Sequence, residues 1–146
     1  MSEREVFLDT SGIIALEYKG DQWHERAVGL RDDLKAQRVR LVTTDDVLVE
    51  VSNYFADEPK HGGWQRAVAV IRTILASVNA GAVDLVYVDK GLFEEAWEMM
   101  QTYRDKEWGL TDCGSFAVMK NRRIRKAFAA DRHFEQAGFE LLLCQG

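Results

Sequence analysis

Two aspartates in this sequence follow short apolar segments. Asp9 comes directly after the apolar residues 6–8, and Asp131 comes directly after residues 127–130. Such segments are too short for helices and are typical of strands buried on both faces of a parallel sheet. A carboxylate at the end of a buried strand costs free energy unless a metal ion or another cation lies close to it. The pattern therefore predicts a charged site at the carboxyl edge of a sheet.

Two further acids fall where helical periodicity would place apolar residues. Glu50 shares a predicted helix face with Val47 and Tyr54, and we expect that face to pack inward. The alternative is a glutamate at the edge of the apolar stripe, with its carboxylate in water. Asp112 follows Thr111, the predicted N-cap of another helix. It would either enter the site or simply complement the helix dipole.

If the fold brings the four carboxylates into one cleft, they would form a metal-binding site. Neighbouring carboxylates repel one another and raise each other's pKa. A divalent cation relieves this repulsion, and oxygen ligands suit Mg²⁺ or Mn²⁺. Such sites hydrolyse phosphodiester bonds. The set therefore predicts a metal-dependent nuclease centre.

The elements that must position these acids alternate between strands and helices. This alternation predicts an α/β fold with a mainly parallel sheet covered by helices on both faces. Residues 10–12 read as a turn and N-cap for the first helix. The predicted strands are residues 6–8, 40–43, 82–88, 127–130 and 139–144.

Composition is that of a globular protein without a membrane segment. The length of 146 residues predicts one domain over residues 1–146. No apolar run approaches the ~20 residues of a membrane span, and the charged N-terminus has no apolar segment of a signal peptide behind it. Cys113 and Cys144 lack metal-site spacing, so we interpret them as buried free thiols of a cytoplasmic protein.

The net charge of −5 argues against a general nucleic-acid binder but does not exclude a nuclease with clustered acids. One dense basic run lies between the third and fourth acids. It could flank the cleft and hold RNA phosphates, or it could be a solvated helix end whose cations complement the dipole. The residues concerned are Lys120, Arg122, Arg123, Arg125 and Lys126, with Arg132 shortly after.

Four short motifs occur in order along nearly the whole chain. They are residues 7–11 around Asp9, residues 47–50 ending in Glu50, residues 110–112 ending in Asp112, and residues 130–134 beginning Ala-Asp131. Together they resemble the PIN domain and, more narrowly, the VapC-type ribonuclease toxins of toxin–antitoxin pairs.

The resemblance implies a three-layer α/β/α domain with a five-stranded parallel sheet. It also implies a Mg²⁺- or Mn²⁺-dependent endoribonuclease that selects single-stranded RNA, usually a homodimer held by an antitoxin. By position, Ser11 matches a small polar residue near the site, and Thr111 matches a hydroxyl that precedes the third acid. The family's acidic quartet corresponds to Asp9, Glu50, Asp112 and Asp131.

The sequence departs from the family pattern at one position. Family members often carry a further aspartate two residues after the fourth acid, where this chain has His133. We interpret His133 as a surface histidine, with a role as metal ligand or phosphate contact as the alternative. The number of metal ions that the site binds depends on this residue.

Two other functions place an aspartate after a first strand or retain this fold. Aspartate-nucleophile phosphatases would have a second aspartate where this chain has Ser11, and receiver domains would have paired acids before the strand. A PIN relative without catalytic activity would bind RNA or protein without cutting it. The presence of all four acids counts against this last alternative.

Overall fold

A five-stranded parallel sheet forms the centre of the protein, as the alternation of elements predicts. The computed structural model describes residues 4–144, so residues 1–3 of the charged N-terminal segment and residues 145–146 lie outside it. The strand order is β3-β2-β1-β4-β5, and every pairing is parallel. The strands are β1 (Glu5–Leu8), β2 (Arg40–Thr44), β3 (Val83–Val86), β4 (Lys126–Phe128) and β5 (Glu140–Leu141).

Helices form two groups, one for each face of the sheet. Within the first group α1 contacts α2 and α3, and α3 contacts α4; within the second, α6 contacts α5 and α7. Among the helices of residues 4–144, none is both long and apolar enough to cross a bilayer. The helices are α1 (Thr10–Glu17), α2 (His24–Ala36), α3 (Asp45–Asp57), α4 (Gly63–Asn79), α5 (Lys90–Thr102), α6 (Leu110–Arg122) and α7 (Arg132–Gln136), with short 3₁₀ turns at Pro59–His61 and Arg104–Lys106.

The strand order reverses at β1, which lies between β2 and β4. In open α/β sheets, the chain leaves the strands in opposite directions at such a point and opens a crevice at the carboxyl edge. Leu8 is paired with Phe128 at the ends of β1 and β4. The amide of Asp9 then donates a hydrogen bond to the Phe128 carbonyl at 3.2 Å. Asp9 is therefore fixed at the crevice, beside the end of β4.

Close packing of α1 on β4 depends on Gly12. A Cβ atom at this position would lie 2.1 Å from the Phe128 carbonyl oxygen and 2.7 Å from its Cδ1. Only glycine permits this approach without a shift of the backbone. Below it, Phe134 packs against Phe7 and, edge to face at 5.0 Å, against Phe116. This apolar layer supports the rim, by which we mean the carboxyl edge of the sheet around Asp9, Asp112 and Asp131.

Several local predictions are wrong, although the pattern of elements is correct. Residues 10–12 form the first turn of α1 because the Asp9 side chain is itself the N-cap. The N-cap of α6 is Gly109 and not Thr111, which lies inside the first turn. The last strand is shorter than predicted, and β4 ends at Phe128, so Asp131 is separated from it by two alanines.

Candidate active site

Asp9 is the buried centre of the candidate site. Its side chain is only 3% exposed. Burial, followed by the charge of Asp112, raises the pKa of the Asp9 carboxyl to about 7. The carboxylate thus lies where it has little solvent and a like charge nearby. Such an environment favours a bound cation.

Ser11 holds Asp9 in place and links two elements of the rim. The Ser11 hydroxyl donates to Asp9 Oδ2 at 3.0 Å, and the Ser11 amide approaches the same oxygen at 3.4 Å. The hydroxyl oxygen also accepts a hydrogen bond from the Ala130 amide at 3.0 Å. The predicted supporting residue therefore ties the start of α1 to the segment that leads to Asp131.

A second group lies beside Asp9, where α6 and α7 begin. One possible ligand atom from each of Asp112, Asp131 and His133 lies within 4.8 Å of the other two. His133 Nδ1 is 2.8 Å from Asp112 Oδ2 and 3.4 Å from Asp131 Oδ1. Asp131 also caps α7 by accepting from the His133 amide at 2.9 Å. The interpretation of His133 as a plain surface residue is wrong, because its ring is half-buried between two of the predicted acids.

Electrostatics couple this group to the rest of the rim. Burial raises the pKa of Asp112, and the charges of Asp131 and Glu50 raise it further, while the His133 hydrogen bond opposes them. The same hydrogen bond is the largest cause of the raised pKa of His133. One imidazole thus faces several carboxylates. The rim carries more negative charge than its own cations offset.

Glu50 reaches the rim from an exposed position. Of the two predicted positions for Glu50, the structure shows the one at the edge of the apolar stripe: α3 buries Val47 and Val51, and Glu50 lies at the margin of that stripe. Its carboxylate accepts a hydrogen bond from the Thr10 hydroxyl at 2.7 Å. Because Thr10 directly follows Asp9, this bond brings the second acid of the motif set beside the first.

The dense basic run does not border these carboxylates. It begins at the carboxyl end of α6, which is about 20 Å from the amino end at 1.5 Å per residue. Arg122 Nη2 contacts Asp84 at 2.7 Å and lies 3.7 Å from Glu5, at the start of β1. Of the predicted RNA-binding residues, Arg132 alone adjoins the rim, next to Asp131, and it pairs with Glu135 at 3.0 Å.

Comparison with known proteins identifies the family. A sequence profile of the PIN domain matches residues 6–140. The chain belongs to the PIN-domain family. It is 32% identical over 139 residues to the 23S rRNA-specific endonuclease VapC20 of Mycobacterium tuberculosis, in strains CDC 1551 / Oshkosh and H37Rv, covering 92% of this chain and 95% of the relative.

A solved structure agrees with this assignment. The crystal structure of M. tuberculosis VapC20, described as a sarcin–ricin loop cleaving toxin, matches with a TM-score of 0.77 at 30% identity, over 92% of this chain and 95% of that one. The PIN-like fold and the resemblance to VapC toxins predicted from the motifs are confirmed. The match also separates this PIN-domain protein from aspartate-nucleophile phosphatases and receiver domains.

The rim of this PIN-domain protein suits a divalent cation. Three carboxylates and one imidazole supply hard oxygen donors and a nitrogen donor, and a bound cation would offset the burial and the Asp112 charge that raise the pKa of Asp9. One contributor, Thr10, was not predicted, and the position of His133 at the rim agrees with the alternative given for that residue. The signal for His133 was its spacing from Asp131; the signal for Thr10 was only its position after Asp9.

Proposed function

We propose that this protein is a divalent-metal-dependent endoribonuclease and the toxin of a toxin–antitoxin pair. The observation that carries the proposal is the convergence of buried Asp9 with the Asp112–Asp131–His133 group at one rim. The homology to a 23S rRNA endonuclease supports the same reaction. Residues 1–146 act as a single PIN-like unit in this proposal.

Four residues of the rim would bind the cation. Asp112, Asp131 and His133 would hold the cation, and Asp9 would contribute its carboxylate from below. Oxygen-rich donors favour Mg²⁺ or Mn²⁺. The bound cation would supply positive charge that offsets the scissile phosphate and lowers the pKa of water.

The remaining residues of the rim position the acids. Ser11 fixes the orientation of Asp9 by its hydroxyl hydrogen bond, and Thr10 fixes Glu50. Thr111 lies half-buried in the first turn of α6, next to Asp112. In this proposal Thr111 borders the bound RNA and does not hold the helix start.

The named target of the relative supports the choice of an RNA substrate to test. VapC20 is named as specific for 23S rRNA and as cleaving the sarcin–ricin loop. We propose the same loop as the first substrate to test for this chain. Selection of a single-stranded nucleotide within such a loop fits buried carboxylates, because that nucleotide must be unpaired for its phosphate to approach them.

A protein partner fits the exposed face of α5. Phe93, Trp97 and Met100 are all exposed, and their spacings of four and three residues place them on one side of the helix. Contiguous exposed apolar side chains mark interaction surfaces. We propose that this face forms a homodimer contact and that an antitoxin binds the dimer. Sedimentation of Trp97→Asp against wild type tests the dimer, and the expected result is a monomer.

The cytoplasm is the proposed location. Cys113 and Cys144 are both free and buried, as expected of a protein that folds where thiols stay reduced. Expression without the antitoxin should arrest growth of a bacterial host.

A cleavage assay tests the reaction itself. Purified protein is incubated with ribosomes and with the isolated sarcin–ricin hairpin, in Mg²⁺, in Mn²⁺ and in EDTA. We expect cleavage with either metal, none in EDTA, and a loss of more than 100-fold in Asp112→Asn, since removal of residues that merely support a ligand costs 10–100-fold. The matched control is Asp33→Asn, an exposed aspartate of α2. Full activity of Asp112→Asn would contradict the proposal.

The same assay distinguishes the non-catalytic alternative. A PIN relative that only binds RNA would retain the hairpin in the presence of EDTA and release no fragments with any metal. We expect the opposite result, because every acid of the quartet is present, Asp112 and Asp131 lie together with His133, and Asp112 is coupled to the buried Asp9.

A further inference from the structure

A second charged feature of the molecule is a groove of about 670 Å³ that runs along α6. One wall is α5 with the Arg104–Lys106 turn, and the other wall is the end of α7 with the residues before β5. Its floor is apolar and includes Phe116 and Met119. Four cations line it, and no acid of residues 4–144 does: Lys106, Lys120, Arg123 and Arg125.

These cations are largely uncommitted. Within residues 4–144, only Lys106 among them forms an ion pair, with its neighbour Asp105 at 3.8 Å. Two acids of α5, Glu95 and Glu98, line a second depression together with Lys120, on the other side of this side chain from the groove. In a protein of net charge −5, such a groove is a local surplus of positive charge.

Aromatic side chains border the same groove. Tyr103 is 46% exposed and lies against buried Trp108, with ring centroids 5.1 Å apart. Phe139 is half-buried at the opposite wall. Cations beside exposed aromatic faces are the combination that binds nucleic acid, because phosphates meet the cations and bases stack on the rings.

The groove is distant from the acidic rim along α6. Lys120 lies eight residues after Asp112, which corresponds to about 12 Å, and Arg123 lies about 16 Å away. A phosphate held at Lys120 is therefore not the phosphate that meets the carboxylates. An RNA that reaches both must extend beyond the cleaved nucleotide and its immediate neighbours.

We propose that this groove binds the backbone of the RNA substrate away from the cleaved bond and so selects folded RNA over short single strands. The inference rests on the proposed endoribonuclease function. An RNA fits better than an acidic protein segment because the cations lie beside aromatic side chains on which bases can stack. The groove thus adds a substrate-selecting surface that the acidic rim does not provide.

The first experiment measures binding without cleavage. The groove variant is Lys120→Gln/Arg125→Gln, and the control pair is Lys35→Gln/Arg40→Gln. Both are prepared in the Asp9→Asn background, so that RNA is bound without being cut. The control pair also combines an exposed lysine in the last turn of a helix with an exposed arginine at a strand start. Binding of a sarcin–ricin hairpin is followed by fluorescence anisotropy between about 50 and 200 mM salt.

We expect the groove variant to bind about tenfold more weakly. The slope of log K against log salt should also fall by nearly two, at about 0.9 per lost phosphate contact. The control pair should leave the slope unchanged. An unchanged slope in the groove variant would overturn the proposal. Thermal melting of both pairs checks folding, and the single variant Arg125→Gln provides a milder version with a slope change near one.

The second experiment measures cleavage in proteins that retain Asp9. For the groove variant we expect kcat/KM to fall about tenfold on the hairpin and to stay at the wild-type value on a short oligonucleotide with the loop sequence. An equal loss on both substrates would overturn the proposal, because the groove would then act at the cleaved bond. Loss of antitoxin binding with unchanged RNA binding would overturn it in favour of an acidic protein segment.

Failure of the two proposals can be told apart. If wild type cuts no RNA but the salt slope in the Asp9→Asn background still depends on the groove, the nuclease function is wrong and RNA binding by the groove stands. If wild type cuts the hairpin and the groove variant cuts it equally well, the nuclease function stands and the groove proposal is wrong.

Discussion

The two ends of α6 gather charged side chains in opposite ways. At its amino end, Asp112 meets Asp131 and the rim around Asp9, so like charges are held together and the pKa of Asp112 rises. At its carboxyl end, Arg122 lies 2.7 Å from Asp84 and 3.7 Å from Glu5, so opposite charges are paired. The first arrangement costs stability until a cation arrives, whereas the second contributes stability with no ligand. Repulsion retained in a folded protein therefore separates the candidate site from an ordinary ion pair.

The largest effect should come from Asp9→Asn, which removes a repelled charge from the rim. In metal-free wild type, the pKa of Asp9 is about 7 when folded and 3.8 in the reference state. The folded state keeps a proton that the unfolded state has lost, so the free energy of unfolding falls as pH rises from about 4 to 7. At pH 8 the free energy of unfolding is lowered by at most about 4 kcal/mol through this group. Asp9→Asn has no carboxyl to ionise and does not lose this stability.

Urea unfolding in EDTA at several pH values measures this effect. The stability gain of Asp9→Asn should be near zero at pH 4 and largest at pH 8, while RNA cleavage falls by more than 100-fold. Asp33→Asn, an exposed aspartate, should show neither change. A variant that is less stable than wild type at pH 8 would contradict the idea that Asp9 is held against repulsion.

Ser11→Ala should weaken metal binding by about 10–100-fold, the usual cost of losing a group that orients a ligand. The hydroxyl donates a hydrogen bond to Asp9 Oδ2 at 3.0 Å and accepts one from the Ala130 amide. Titration calorimetry with Mn²⁺ measures the change without any substrate. Ser77→Ala removes a hydroxyl that bonds only within α4 and serves as the control. Wild-type Mn²⁺ affinity in Ser11→Ala would show that Asp9 keeps its orientation without help.

The sequence was enough to predict the candidate acids but not the contacts that surround them. Asp9 and Asp131 could be found because short buried strands carry a strong apolar signal and the acids follow them closely. Glu50 was identified as a residue, but its burial was not, since a position at the margin of a helical stripe can turn either way. His133 and Thr10 gain their roles from contacts between elements that are far apart in the chain.

The basic run shows the same limit more clearly. It stands between Asp112 and Asp131 in the chain, which suggested that it flanks the cleft. The helix α6 runs from the carboxyl edge of the sheet back to the amino edge, so it carries these residues about 20 Å from the rim. The basic run is close to the acids in the sequence, but the length of α6 separates it from them in space.

Arg122→Gln should have a smaller effect, and on stability alone. Its ion pairs with Asp84 and Glu5 are about one-third exposed, so their loss should lower the free energy of unfolding by about 1 kcal/mol. This loss is partly offset because Nη1 is buried with no hydrogen-bond partner among residues 4–144, and the penalty for that atom disappears with the arginine. Cleavage of the hairpin should equal that of wild type. A tenfold loss of cleavage with unchanged stability would mean that the two ends of α6 do not differ as described.

Thr10→Val should have the smallest effect and test how Glu50 joins the rim. The lost hydrogen bond of 2.7 Å is solvent-exposed, and such a bond contributes about 0.5–1.5 kcal/mol. We expect kcat/KM for the hairpin to fall by about two- to tenfold, with little change in melting temperature and full recovery in Thr10→Ser. A loss as large as that of Asp9→Asn would mean that Glu50 is held by this bond alone. No loss would mean that the Glu50 carboxylate reaches the bound cation from solvent without a fixed orientation, unlike buried Asp9, whose orientation is fixed by the Ser11 hydroxyl.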